Sequence, residues 1–86
     1  MGSPNKTLDV ILRGTSDANI AFEDLRQVLL RLGFVERTKG SHHLFRRAGV
    51  PLLVNLHRDS SKAKPYQVRQ VRQILLRYKL AEEIHG

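Results

Sequence analysis

Apolar positions follow two different periods along the chain. From Asn5 to Arg13 they fall at Leu8, Ile11 and Leu12, and the run closes at Gly14, which is the spacing of a short helix over residues 5–13. Gly14-Thr15-Ser16-Asp17-Ala18-Asn19 is a turn-forming cluster. Phe22, Leu25, Val28, Leu29 and Leu32 then recur at helical spacing, with Glu23 and Asp24 in the first turn, where the helix dipole favours anions. Gly33 stands where a left-handed cap would end that helix. Beyond it the period shortens. Phe34 to Thr38, His42 to Arg47 and Val50 to His57 read as three strands, separated by Lys39-Gly40-Ser41 and by Ala48-Gly49. A polar, basic loop runs from Arg58 to Lys64, and Pro65 suits the first turn of a final helix. There Val68, Val71, Ile74, Leu75 and Tyr78 form the apolar stripe, while Arg69, Arg72 and Gln73 share another face. The order helix, helix, strand, strand, strand, helix predicts an α+β two-layer sandwich with the helices on one face of an antiparallel sheet.

Strand alternation divides the side chains of that sheet. If the second and third strands pair through a two- or four-residue turn around Ala48-Gly49, Phe45 opposes Leu52, Leu44 opposes Leu53 and His42 opposes Asn55. Phe45, Val50, Leu52, Val54 and Leu56 then share the face that helices would cover, with His43 at its edge. His42, Leu44, Arg46, Leu53, Asn55 and His57 share the open face. A three-residue loop with Gly49 in the left-handed conformation would shift the register and mix the two sets.

Composition narrows the class. Eighty-six residues make one small domain with a single modest core. The absence of cysteine excludes a disulfide scaffold, a thiol nucleophile and thiolate metal sites. No apolar run approaches the roughly 18 residues of a membrane span. The start Met-Gly-Ser-Pro reads as an expression scar rather than a signal peptide, so a soluble cytoplasmic domain without a membrane partner is expected. The net charge is +7. Residues 1–33 sum to zero, so the whole excess lies from residue 34 onward, and between Arg37 and Lys79 eleven basic residues meet one acidic residue. A one-signed field on part of a small domain suits a polyanion, above all nucleic acid; its plain alternative is a solvated, solubilising face.

The segment Gly40-Ser41-His42-His43-Leu44-Phe45, read as G-S-H-x-x-F, resembles the signature of the HicA family of bacterial toxins. The resemblance extends back through Leu25 to Phe34, like the family's first core helix ending in L-G-F. It extends forward through Leu53-Val54-Asn55-Leu56-His57, in the place of a V-x-V-P-x-H strand, and closes on the helix Val68 to Leu75. It covers residues 20–80 and leaves residues 1–19 as an N-terminal extension of a kind seen in one branch of the family, with residues 81–86 as a tail. The resemblance implies a double-stranded-RNA-binding-like fold, α-β-β-β-α, refitted as an mRNA interferase and neutralised by a HicB antitoxin. It sets the family's catalytic histidine on His42; members that carry the histidine one residue later would point to His43 instead. Asn55-Leu56-His57 lacks the usual proline before its histidine.

The chemistry itself constrains the roles. Cleaving RNA through its own 2′-hydroxyl needs a base, an acid for the leaving 5′-oxygen and stabilisation of the phosphorane charge. Neither metal nor cofactor is required, because the nucleophile belongs to the substrate. Imidazoles titrate near working pH and suit both proton-transfer roles. His42 is assigned as general base, His57 or Lys39 as acid, and Arg46 or Lys39 to the phosphate, while Gly40 lets the backbone approach it. Ser41, Asn55, Lys62, Lys64, Arg69 and Arg72 complete the expected RNA-binding set. A zinc site from His42, His43 and His57 is disfavoured because adjacent strand residues point to opposite faces, and His85 in the tail is given no role. The competing function is a non-catalytic or degenerate RNA-binding domain of the double-stranded-RNA-binding type.

Overall fold

The computed structural model describes residues 4–81; Met1 to Ser3 of the Met-Gly-Ser-Pro start, and the tail beyond Ala81 with His85, lie outside the described residues. Helices α1 (Pro4–Arg13), α2 (Phe22–Arg31) and α3 (Pro65–Arg77) enclose strands β1 (Val35–Lys39), β2 (His42–Arg47) and β3 (Val50–His57) in sequence. A short 3₁₀ turn, Asp17–Asn19, links the first two helices. The strands form one antiparallel sheet in the order β1-β2-β3. The result is the expected α+β architecture, compatible with a double-stranded-RNA-binding-like α-β-β-β-α fold preceded by one extra helix.

Each helix buries the stripe that its periodicity marks. Phe22, Leu25, Val28 and Leu29 of α2 and Val68, Val71, Ile74 and Leu75 of α3 meet Phe45, Val54 and Leu56 from the inner face of the sheet. Leu8 and Ile11 of α1 are also fully buried, so the N-terminal helix completes the same core. Gly33 ends α2 at φ +90, where the N–H of Gly33 reaches the carbonyl of Leu30 and that of Phe34 reaches Leu29. These are the two bonds of a Schellman cap, and they turn the chain straight into β1. At the other end, the Gln67 side chain is 1% exposed; its oxygen accepts from the Lys64 N–H at 3.1 Å, and its amide donates to the His57 carbonyl at 3.0 Å. The end of β3 is thereby tied to the start of α3.

The register between β2 and β3 differs from the expected pairing. Arg47 opposes Val50 across the Ala48-Gly49 turn, but further along Phe45 opposes Val54, Leu44 opposes Asn55 and His42 opposes His57. Pro51, Leu52 and Leu53 face Arg46 alone, so β3 carries two extra residues. Proline has no N–H to give the ladder, which is the physical reason pairing breaks beside Pro51. Two extra residues preserve the alternation, so Val54 and Leu56 remain inside as expected. Leu52, however, is 46% exposed instead of buried.

Arg72 fixes the extension to the core. Its guanidinium grips both carboxylate oxygens of Asp17, at 2.9 and 3.1 Å, and also donates to the Ile11 carbonyl at 3.1 Å. The same guanidinium lies against Gly14. Replacing Arg72 by Ala leaves a largely buried carboxylate and a helix-end carbonyl without their donor. Urea unfolding of Arg72→Ala is expected to show a loss of about 1–3 kcal/mol, the range for hydrogen bonds to charged groups. A variant as stable as the wild type would contradict this staple.

Candidate functional site

The helices cover one face of the sheet, and cross-strand partners line up in rows on the other. Lys39, His42 and His57 form the row at the Gly40-Ser41 end; Arg37, Leu44 and Asn55 form the next, and Val35 pairs with Arg46 beyond it. The Arg58 N–H donates to the Ser41 carbonyl at 2.8 Å. That bond flanks His42 and His57 and makes them a non-hydrogen-bonded pair, the class in which opposed side chains stand closest. Their ring centroids are 4.8 Å apart, with the planes inclined by 34°. Both residues are exposed. The two-residue turn between Lys39 and His42 places Gly40 at φ +61, a value that glycine adopts without strain, and a Cβ there would meet nothing within 4 Å. The turn is therefore open to an approaching backbone.

The neighbouring histidine lies on the other side. His43 is 8% exposed, packs edge-on against Phe22 at 5.0 Å, and holds Nδ1 2.6 Å from Glu36 Oε2. Arg26 Nε donates to both Glu36 oxygens at 2.8 Å, and its Nη1 donates to Glu23 at 2.7 Å. These donors, Arg26 first and then His43, hold the Glu36 carboxyl below its ordinary range despite its burial. An ionised Glu36 can only accept, so Nδ1 of His43 carries the proton and donates. The Arg26 guanidinium is in turn raised, chiefly by its bond to Glu36. Arg58 closes the cluster over the Phe22 ring at 5.3 Å.

This ion cluster shapes the field on the outer face. Glu36 is the sole acidic residue from Val35 to His57, and its side chain is drawn beneath the sheet. The three strands thus present Arg37, Lys39, His42, Arg46, Asn55 and His57 outward with no carboxylate among them. Asp59, just past β3, is paired with Lys64 at 2.8 Å, and that lysine, with a lesser contribution from His57, holds its carboxyl below the usual range.

The expected site residues separate into two groups. Lys39, Gly40, Ser41, His42, Arg46, Asn55 and His57 come together on the open face and its turn. Lys62 and Lys64 lie in the loop after β3, Lys62 within 3.4 Å of Asn19 Oδ1 and Lys64 on Asp59. Arg69 is exposed on α3, in the helical layer behind the sheet. Arg72 is in that layer too, occupied by Asp17. Sequence reasoning overlooked Glu36, Arg26 and Gln67. Glu36 was readable: it alternates with buried Phe34, so a carboxylate was aimed inward and required a cation. Among the described residues, no group of three or more His, Asp or Glu side chains could hold a metal ion, and no helix is long and apolar enough to cross a membrane.

A family model described as the HicA toxin of bacterial toxin–antitoxin systems matches residues 22–79, from the first residue of α2 to just beyond α3. The chain belongs to the HicA toxin family. No curated protein and no solved structure matches it. The matched span holds the whole sheet, both histidines of the outer pair and the ion cluster beneath them, while α1 and its Asp17 anchor precede it.

Because Glu36 is held ionised in the folded state, its contribution to stability is present above the ordinary carboxylate pKa, about 4.3, and is lost as pH falls through the lower folded value. Glu36→Gln is expected to be less stable than wild type by about 1–3 kcal/mol at neutral pH. The difference should shrink as the pH is lowered from about 5 towards 2, as read by urea unfolding across that range. A difference independent of pH would contradict the ionised cluster.

Proposed function

We propose that this HicA-family toxin is a metal-independent endoribonuclease that cleaves mRNA on the outer face of its sheet. The observation that carries the reading is the exposed His42–His57 pair in a row with Lys39, on a surface with no carboxylate. His42 takes the proton from a ribose 2′-hydroxyl. The 2′-oxygen attacks the adjacent phosphorus, the bond from phosphorus to the 5′-oxygen breaks, and His57 or Lys39 supplies the proton that this oxygen needs to leave. The products are a 2′,3′-cyclic phosphate and a 5′-hydroxyl; His42 ends with one proton more, and the acid, His57 or Lys39, with one fewer. Lys39, in the same row as the two histidines, offsets the charge of the phosphorane.

Three features support the assignment of His42 over His43. The His42 ring is exposed, it stands beside a second imidazole able to serve as the acid, and it adjoins the open Gly40 turn. His43 has its Nδ1 engaged by Glu36 and its ring against Phe22. The same cationic surface suits an acidic HicB-type antitoxin, whose binding would bar RNA from the histidine row.

Purified wild type is expected to cleave single-stranded RNA in EDTA and to leave cyclic phosphate ends. His42→Ala should lower the rate about 10²–10⁴-fold, the usual worth of a general base, and His57→Ala should lower it by a comparable factor if it is the acid. Unchanged cleavage by His42→Ala, or no cleavage by wild type, would overturn the reading; tight RNA binding without cleavage would assign a non-catalytic RNA-binding domain instead.

A further inference from the structure

At the Ala48-Gly49 end of the same open face lies a groove of about 740 Å³. Val35, Leu44 and Leu52 line it together with Arg37, Arg46 and Arg47. Val35 is 72% exposed and Leu52 46%, so apolar surface is left in water among guanidinium groups. Such a mixture is costly for a sheet face unless something covers it. The displaced register creates it: the two extra residues beside Pro51 bring Leu52 out of the core and onto the groove wall.

We infer that this groove is a subsite for single-stranded RNA flanking the scissile bond, its apolar floor receiving unstacked bases and Arg37 and Arg46 the adjoining phosphates. The inference rests on the ribonuclease reading of the histidine row. Groove and row share the same strands, and the Arg37–Leu44–Asn55 row joins them. Arg46 stands four residues from His42 along β2, about 13 Å at the rise of a strand, so a short oligonucleotide can occupy both places where a single nucleotide cannot. The chemistry selects the occupant. Arg37 and Arg46, in a lining without a carboxylate, call for a polyanion, and exposed Val35 and Leu52 with half-buried Leu44 call for flat apolar surface beside it. An unpaired strand offers both, because its bases can splay onto protein side chains. A duplex keeps its base faces stacked inside and would leave the floor uncovered.

The test uses the full chain. Binding of a short unstructured RNA oligonucleotide, and of the same sequence as a duplex, is measured by fluorescence anisotropy in the His42→Ala protein at several salt concentrations. Adding Val35→Asp, at an exposed position that should leave the circular dichroism and urea midpoint unchanged, is expected to weaken single-strand binding about tenfold or more. Adding Arg46→Ala should reduce the salt slope by about 1. In the cleavage-competent background, Val35→Asp should raise KM for the oligonucleotide with little change in kcat. Parental affinity and KM in both variants would overturn the groove while leaving the cleavage reading intact. Equal binding of the duplex, or loss of an acidic antitoxin without loss of RNA, would likewise overturn it. Absence of cleavage by the wild type would overturn the ribonuclease reading and this one together.

Discussion

Two consecutive histidines cannot share an environment on a β-strand, because successive side chains point to opposite faces. His43 is fixed inward by Glu36 at 2.6 Å and by the Phe22 ring, and this anchoring obliges His42 to face outward. The outer histidine row, where we propose cleavage, therefore depends on an ionic contact on the opposite side of the sheet. A slip of β2 by one residue would carry the wrong imidazole into the core and strand Glu36 without its second donor.

The same contact has an electrostatic consequence. By withdrawing Glu36 beneath the strands and binding it to Arg26 and His43, the fold clears the outer surface of negative charge. The charged side chains that the strands turn outward are therefore all cationic, Arg37, Lys39 and Arg46. Not every cation contributes to that face. Arg72 serves the scaffold instead, joining α3 to the turn after α1 through Asp17, and Lys64 is paired with Asp59.

Much of the fold was legible because local signals agreed: the helical stripes, the cap at Gly33, Pro65 at the start of α3 and the alternation along β2 all indicate the same two-layer arrangement. The outward set of His42, Arg46, Asn55 and His57 followed from alternation alone. The pairing of those residues did not. It depends on a two-residue irregularity in β3 beside Pro51, and alternation is blind to an even number of inserted residues. That irregularity opposes His42 to His57 rather than to Asn55, and it also exposes Leu52. The role of Arg72 was illegible for a different reason, since its partner Asp17 lies 55 residues away in a turn that no periodicity locates.

The division of labour between the adjacent histidines is tested most directly by measuring unfolding free energy and RNA cleavage per folded molecule in His42→Ala and His43→Ala side by side. His42→Ala is expected to keep wild-type stability and lose cleavage. His43→Ala is expected to lose stability, since it leaves Glu36 short of a donor, while its folded fraction retains activity. The reverse pattern, with His42 stabilising the fold and His43 indispensable to cleavage, would contradict it.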